Sequence, residues 1–509
     1  MEVEPTRIVI LGAGFGGLYT ALRLEQLLPR DGSVEVTLVN RDNFFLFTPM
    51  LHEVAASDLD ITHIVSPIRA LLRRTRVVCG DVIGIDFETR HVEVRHGLTQ
   101  HQHVLMYDQL VLALGSITNF YNLPGLQSHS LTMKSLGDAI QIRNRLIAHL
   151  EEADAESSTE ARKMLLTFVV AGGGFAGVET MAAINDFVRE ALGHYPSLDT
   201  SLVRMVLVHA GPELLPELGD ELGAYARQKL RDRGVEIHTR VHVTELTQND
   251  VRLDDGSTIP SQFVVWTAGT SPHPLLATLA VPLDHGRVVV DEYLQVTGRP
   301  GLWALGDCAV VPNLQTGKPH PPTAQHAIRE GRVLAENLVA MLAGRPLRPF
   351  RFSTIGQLAA IGRRTGVARV FGVKCSGFIA WWLWRTIYLM KLPGLDRKVR
   401  VALDWTLDLI FSKDIVQFVT ERAPTLSHET YGSGDPGQVA SGVADRARAA
   451  DTLREDLPRV GAAAIQDALD DFVKMNAGTI SPADFFAPAN VERIVAGVRP
   501  RLVSNFQPD

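Results

Sequence analysis

Two glycine-rich loops in this chain have the spacing to hold a dinucleotide each. The first is Gly12-Ala13-Gly14-Phe15-Gly16-Gly17, directly after the apolar run Arg7-Ile8-Val9-Ile10-Leu11. The second is Gly172-Gly173-Gly174-Phe175-Ala176-Gly177, directly after Leu165-Leu166-Thr167-Phe168-Val169-Val170-Ala171. Each is G-x-G-x-x-G between a predicted strand and a predicted helix. Glycines there let the backbone turn tightly and approach a pyrophosphate, which sits on free N–H groups at the helix start. Two such loops in order point to a flavin that stays and a nicotinamide that visits. The bland alternative is one working site and one decayed copy.

A few side chains sharpen that chemistry. Asp307, in Gly306-Asp307 at the end of a late apolar run, suits the ribityl and phosphate region of a flavin. The first loop is therefore assigned to FAD, although a plain helix cap would also explain Asp307. An acidic residue is expected about 20 residues past such a loop to hold the ribose hydroxyls. Asn40, 23 residues past Gly17, stands there instead. The second loop is assigned to NADH through Gly172, Gly174 and Gly177. The next strand ends at His209, which leaves NADPH open because a partly protonated imidazole tolerates a 2′-phosphate. Glu179 is placed on the first turn of the helix after the second loop, where a carboxylate can position the nicotinamide or relay a proton. A simple partner for the helix dipole is the other reading. Cys79, Cys308 and Cys375 lie far apart, with no C-x-x-C after either loop. A flavin disulfide reductase and a zinc site are therefore disfavoured, and Cys308 reads as a small packed residue.

These residues need elements to position them. At 509 residues, 46% hydrophobic and 21% charged, the chain is globular and long enough for two or three domains. The fold class is α/β, with two Rossmann-like domains of the two-dinucleotide-binding flavoprotein type and a C-terminal membrane-associating region. A strand Glu35–Val39 and a strand-like run 108–115 complete the first unit. Val264–Gly269 echoes that run in the second unit, and Gly301–Asp307 returns the chain to the first. The FAD-binding domain is thus read as discontinuous, 1–130 and 291–350, with the NADH-binding domain at 160–290. Leu136, Ile140, Ile142, Leu146 and Leu150 mark a helix in 134–153, and polar Glu151–Lys163 reads as a linker.

Residues 351–424 differ in character. Within 351–422 there are twelve Lys/Arg against five Asp/Glu, a net +7 that leaves −14 on the remainder, and four of the six tryptophans. This region reads as a membrane anchor, with tryptophans at headgroup level and Lys/Arg toward anionic lipid, or as a dimerisation surface. The longest apolar stretch, Gly377–Leu392, is 16 residues with Arg385 and Lys391 inside it. A spanning helix needs about 20, so none is expected. In 399–412, Arg400, Asp404 and Asp408 line one side of an amphipathic helix, with Val399, Leu403, Leu407, Ile410 and Phe411 elsewhere. The tail, 425–509, has a predicted helix at 460–475 and no assigned role. A net charge of −7 gives no reason to expect nucleic-acid binding. The first strand begins too early to leave room for a signal peptide, so the catalytic body is expected on the cytoplasmic side.

Over about residues 7–420 the chain resembles the type II NADH:quinone oxidoreductases. The motifs that carry the likeness are Leu46-Phe47-Thr48-Pro49-Met50-Leu51-His52-Glu53-Val54-Ala55, Lys134-Ser135-Leu136 with Asp138-Ala139 and Ile142-Arg143-Asn144, and Val265-Trp266-Thr267-Ala268-Gly269. The resemblance implies a monotopic flavoenzyme without proton pumping, passing a hydride from NADH to FAD and two electrons to a membrane quinone. It implies FAD contacts at Gly12, Ala13, Gly14, Phe15, Gly16 and Gly17, and at Asn40, Arg41, Thr48, Val82, Asp307 and Ala324. It also implies working roles for Glu179 and Gln325, and a peripheral homodimer on the inner face of the cytoplasmic membrane. One departure stands out. Where the family usually has Ala-Gln-x-x-x-Gln-(Gln/Gly), this chain has Ala324-Gln325-His326-Ala327-Ile328-Arg329-Glu330. Arg329 and Glu330 are read as a charged pair beside the quinone channel that alters head-group fit or access. A flavin reductase of a soluble electron carrier and a redox-sensing flavoprotein remain as other classes.

Overall fold

Thr6–Leu11 is the central strand of a five-stranded parallel sheet, flanked by Val34–Asn40 on one side and Gln109–Leu112 on the other. Arg76–Cys79 closes one edge and Leu302–Ala304 the other. The computed structural model describes residues 4–97, 100–408 and 411–418; the tail at 425–509, with its expected helix at 460–475, lies outside them. A second parallel sheet repeats the plan in the order Leu131–Thr132, Phe263–Trp266, Thr167–Ala171, Arg204–His209, Val235–Thr239. Phe263–Trp266 holds the place there that Gln109–Leu112 holds in the first sheet. In each unit an antiparallel three-stranded sheet stands between the outer strand and the strand that returns to the centre. Buried on both faces, the central strands are near-continuous Ile, Val and Leu, as parallel sheets require.

Three sequence expectations change. Glu151–Lys163 is not a linker: helix Leu136–Ala155 runs through Glu151, and a second helix, Thr159–Leu165, follows. The long helix starts on a capping box in which Ser135 Oγ accepts from Asp138 N–H and Asp138 Oδ2 accepts from Ser135 N–H. Its last turns look polar in sequence because only His149, Leu150 and Ala153 are buried there. Glu179 is not in the first turn either. Helix Phe175–Ala191 places it fifth, one turn inside. The predicted 399–412 helix is Leu395–Leu407, and its faces differ from the pattern read in sequence. Val401 and Trp405 are buried, while Leu395, Val399, Leu403 and Leu407 are exposed on the i, i+4 stripe. Asp404 turns inward to His63 Nδ1.

The C-terminal elements pack on the shared core. Strands Gly356–Ala360, Gly366–Val370 and Val373–Gly377 form an antiparallel sheet. Helix Phe378–Lys391 follows, 14 residues long and therefore about 21 Å. No helix among the described residues is long and apolar enough to cross a membrane.

Candidate functional site

Both glycine loops are built alike. Gly12 (φ 100°) and Gly172 (φ 123°) take a conformation that side chains resist. A Cβ on Gly12 would run into the Ala113 carbonyl, and one on Gly17 into the Gly12 carbonyl. By contrast, Gly14 and Gly174 face open space, with nothing within 4 Å of an added Cβ. Each is the N-cap residue of its helix, and neither helix start has a side-chain cap or an acidic residue in its first turn. The free N–H groups at these two ends suit a pyrophosphate.

Around the first loop, Asn40 Oδ1 accepts from Ala13 N–H at 2.8 Å and Asn40 Nδ2 donates to the Asp42 carbonyl at 2.8 Å. Asn40 therefore fastens the loop and keeps only residual capacity for a ribose hydroxyl. Arg41 and Thr48 are exposed close by in sequence, and Val82 lies half-buried on strand Asp81–Asp86. Asp307 sits in the short 3-10 turn Gly306–Cys308, where Ser116 Oγ donates to its Oδ2 at 2.8 Å and Lys134 Nζ donates to Ser116 Oγ at 3.1 Å. Lys134 comes from a motif quoted only for its likeness. Its ammonium lies at the carboxyl ends of the strands, the usual ligand edge of an open α/β sheet. Neighbouring Cys308 is buried and bonded to the Leu112 carbonyl, and burial pushes its thiol to about 11.

Ala324 opens helix Ala324–Leu342, and Gln325 Nε2 donates to the Gly356 carbonyl at 3.3 Å. Arg329 and Glu330 do not act as a pair. Arg329 donates to the Gln325 carbonyl at 2.8 Å and lies 4.1 Å over the Phe352 ring. Glu330 turns the other way, is 3% exposed, and accepts from Gly306 N–H at 2.8 Å. Successive helical residues diverge by about 100°, which separates the two. Glu330 thus braces the Asp307 turn instead of lining a channel. Burial raises its carboxyl to about 7. Glu330→Ala should cost about 1–3 kcal/mol by orphaning the Gly306 N–H. Glu330→Gln keeps an acceptor and should cost well under half of that. Thermal unfolding together with the flavin content of each variant checks this.

In the second loop, His209 Nδ1 accepts from Gly173 N–H at 3.1 Å, so the ring proton is on Nε2, which is buried without a partner. A Cβ on Gly173 would meet that ring at 2.5 Å, so the extra glycine makes room for the imidazole. Burial lowers the His209 pKa, and Glu213 and Glu217 only partly offset this. A neutral ring beside two carboxylates offers nothing to a 2′-phosphate. This removes the protonated-imidazole argument for NADPH. We expect kcat/KM for NADPH to fall at least about tenfold below that for NADH, about 1.4 kcal/mol of unfavourable charge. Steady-state rates with both nucleotides decide it.

Glu179 is the junction of the molecule. Its Oε1 accepts both Ala360 N–H at 3.1 Å and Trp384 Nε1–H at 2.9 Å. It therefore ties the second glycine-loop helix to the C-terminal sheet and helix. Burial pushes it up to about 8 against those two bonds, with help from the charge of Glu53. His52 Nδ1 stands 3.9 Å from Glu179 Oε2. Burial drops His52 to about 3, so at neutral pH neither group is charged and the contact is not a salt bridge. With Oε1 accepting twice, the proton of the acid rests on Oε2. Glu53 is the second buried acid: Oε2 accepts from Trp405 Nε1–H at 3.0 Å, and burial raises it to about 8. Sequence reasoning quoted His52-Glu53 and gave neither a role. Phe15, Phe47, Tyr388 and Trp384 form an edge-to-face chain from the first loop to this acid.

Comparison with known proteins places this geometry. Residues 6–331 match the model for pyridine nucleotide-disulphide oxidoreductases, and residues 355–414 match that of the NDH2 C-terminal domain. The type II NADH:quinone oxidoreductase Ndh of Mycobacterium tuberculosis is 32% identical over 86% of this chain and 99% of its own. The demethylphylloquinone reductase NdbB of Synechocystis is 34% identical over 78% of this chain and 95% of its own. Among solved structures, NDH2 from Plasmodium falciparum in complex with NADH superposes with a TM-score of 0.76 at 20% identity. That match covers 81% of this chain and 99% of the other, and it shows the shared fold.

Proposed function

The chain belongs to the type II NADH:quinone oxidoreductases, and from that premise we propose that it binds FAD on the Gly12 loop and NADH on the Gly172 loop and reduces a membrane quinone. It is an NADH-dependent quinone reductase, and on this reading it associates with membranes. The names of its relatives favour quinone over a soluble protein carrier. The observation that carries the assignment is the pair of uncapped glycine-loop helix starts, with a buried acid, Glu179, one turn inside the second and an aromatic chain leading from it to the first. When bound, a flavin supplies acceptance of a hydride and release of single or paired electrons.

The chain's own residues do the remainder. Gly12, Ala13, Gly14, Phe15, Gly16 and Gly17 hold the pyrophosphate, and Asp307, Ser116 and Lys134 supply polar contacts at the strand ends. Asn40 keeps the loop in register, while Arg41, Thr48, Val82 and Ala324 border the same site. Gly172, Gly174 and Gly177 receive the nicotinamide nucleotide, with His209 supporting the loop. Gln325, fastened to Gly356, and Tyr388 flank the position of the quinone head. Glu179 keeps a proton on Oε2 for quinone reduction, and the aromatic chain excludes water there.

The exposed Leu395, Val399, Leu403 and Leu407, with Phe378, Ile379 and Trp382, form the surface that enters the lipid interface. The protein works as a peripheral homodimer at the inner face of the cytoplasmic membrane.

The test is steady-state oxidation of NADH by flavin-loaded protein with a short-chain quinone and with ferricyanide, and identification of the released flavin. Fast quinone turnover with FAD supports the reading. Fast ferricyanide reduction with negligible quinone turnover overturns the acceptor, and release of FMN overturns the cofactor.

A further inference from the structure

We propose that the pocket bounded by Arg363, Arg364, Trp381, Arg385 and Asp408 binds the phosphodiester headgroup of an anionic phospholipid. The cavity holds about 290 Å³. It presents three guanidinium groups and one carboxylate, and that carboxylate is taken: Asp408 Oδ1 and its backbone carbonyl each accept from Arg363 Nη2 at 3.1 Å. Arg363 Nη1 also pairs with Glu190 at 3.2 Å. Arg363 is therefore neutralised twice over.

Arg385 is not. Its guanidinium carbon lies 4.3 Å from the Trp381 ring centroid and 4.7 Å from that of Trp405. Its Nε is buried without a hydrogen-bond partner, and among the described residues no carboxylate forms an ion pair with it. The acids whose fields reach it are Glu53, Asp58 and Asp408. Glu53 is held neutral by burial and bonded to Trp405. Asp58 receives Lys413 Nζ at 2.6 Å, and Asp408 belongs to Arg363. A half-buried guanidinium whose neighbouring acids are all engaged leaves a demand for an anion from outside. Arg364, which forms no ion pair among the described residues, adds a second cation at the rim. It is held there in a left-handed backbone conformation (φ 56°), uncommon for a residue with a side chain.

Guanidinium forks match phosphate oxygens, and rings stacked on a guanidinium keep its donors aimed outward. The lipid source follows from the setting. The chain neighbours of the pocket residues are exposed apolar side chains: Trp382 beside Trp381, Leu407 beside Asp408, and Ile379, 64% exposed, one turn before. A phosphate seated in the pocket would leave its acyl chains along these. The proposal rests on the reading that this surface meets the membrane.

The test is flotation of the full chain with phosphatidylcholine vesicles, with and without phosphatidylglycerol. It is run at about 1 M salt, where a Debye length of about 3 Å screens exposed charges. The wild type should float with both vesicles and prefer phosphatidylglycerol about tenfold, the scale of one charge-assisted hydrogen-bond pair. Arg385→Gln and Arg364→Gln should each abolish that preference and leave binding to neutral vesicles unchanged. Arg400→Gln, an exposed cation outside the pocket, should keep it. Arg364→Gln should also retain short-chain quinone turnover, which guards against misfolding. A preference that survives both pocket variants, or that Arg400→Gln removes equally, overturns the site. Inorganic phosphate that raises the melting temperature of the wild type but not of Arg385→Gln, with no lipid preference, overturns the lipid source. Failure to float with either vesicle overturns the membrane reading itself.

Discussion

Glu179→Gln is expected to slow NADH:quinone turnover about a hundredfold, the usual scale for losing a positioned proton donor, while leaving flavin bound. The substitution is conservative by geometry. A glutamine carbonyl in the place of Oε1 still accepts from Ala360 N–H and Trp384 Nε1–H, so the junction of the three elements survives. What disappears is the exchangeable proton on Oε2. The pH profile separates this from a structural defect. Glu179 is raised to about 8, so it is protonated at neutral pH and the wild-type rate should fall as pH climbs through about 8. In Glu179→Gln that falling limb should vanish. Glu53 is neutral at neutral pH and gains its charge only as it ionises near about 8, where that charge raises Glu179; in Glu53→Gln the limb should therefore move to lower pH with little change in rate at neutral pH. An unchanged rate for Glu179→Gln, or an unchanged alkaline limb, would sink the proton-donor role. The folded state carries the same signature. Carboxyls raised in the fold contribute stability that is complete below their unfolded pKa and is lost as pH rises through the folded value. Melting temperature should therefore also fall between about 6.5 and about 8; below about 6.5 the lowered histidines, His52 first, pull the other way.

Much of the site was legible because its chemistry is local. A glycine loop between an apolar run and a helix specifies strand, turn and anion-binding end within about fifteen residues, and the duplicated sheets followed from seeing that pattern twice. Asp307 was legible because it closes the late strand that rejoins the first sheet. The sequence was silent where meaning depends on what packs opposite. Arg329 and Glu330 looked like a charged pair because they are adjacent, but the helix sends one to Phe352 and the other under Gly306. Glu179 looked like a residue at an open helix end. Only the arrival of Ala360 and Trp384, about 180 and 205 residues later, makes it a buried acid. Lys134 had no visible purpose until Ser116 and Asp307 were placed beside it. His209 was open to two charge states until Gly173 occupied one nitrogen.

The same dependence on partners decides the second large effect. Replacing Leu395, Val399, Leu403 and Leu407 together with serine should release the protein from membranes, lowering partition about a thousandfold. Full burial of such a side chain is worth about 1.5–3 kcal/mol, so partial immersion contributes about 1 kcal/mol apiece and about 4 kcal/mol in all. The helix itself should persist, because its anchors are on the other face: Val401 in the core, Trp405 on Glu53, and Asp404 on His63. Deleting 377–412 would be a poor substitute. It would strip Trp384 from Glu179 and Trp405 from Glu53, and so destroy the site together with the surface. The informative readout is therefore twofold: sedimentation with membrane vesicles, and turnover with a short-chain quinone that needs no membrane. Detachment with retained turnover assigns the stripe to lipid. Persistent membrane binding with conversion of a dimer to monomers assigns it to the second copy of the chain instead, since an apolar i, i+4 stripe suits either partner and only the one it actually meets is lost with it.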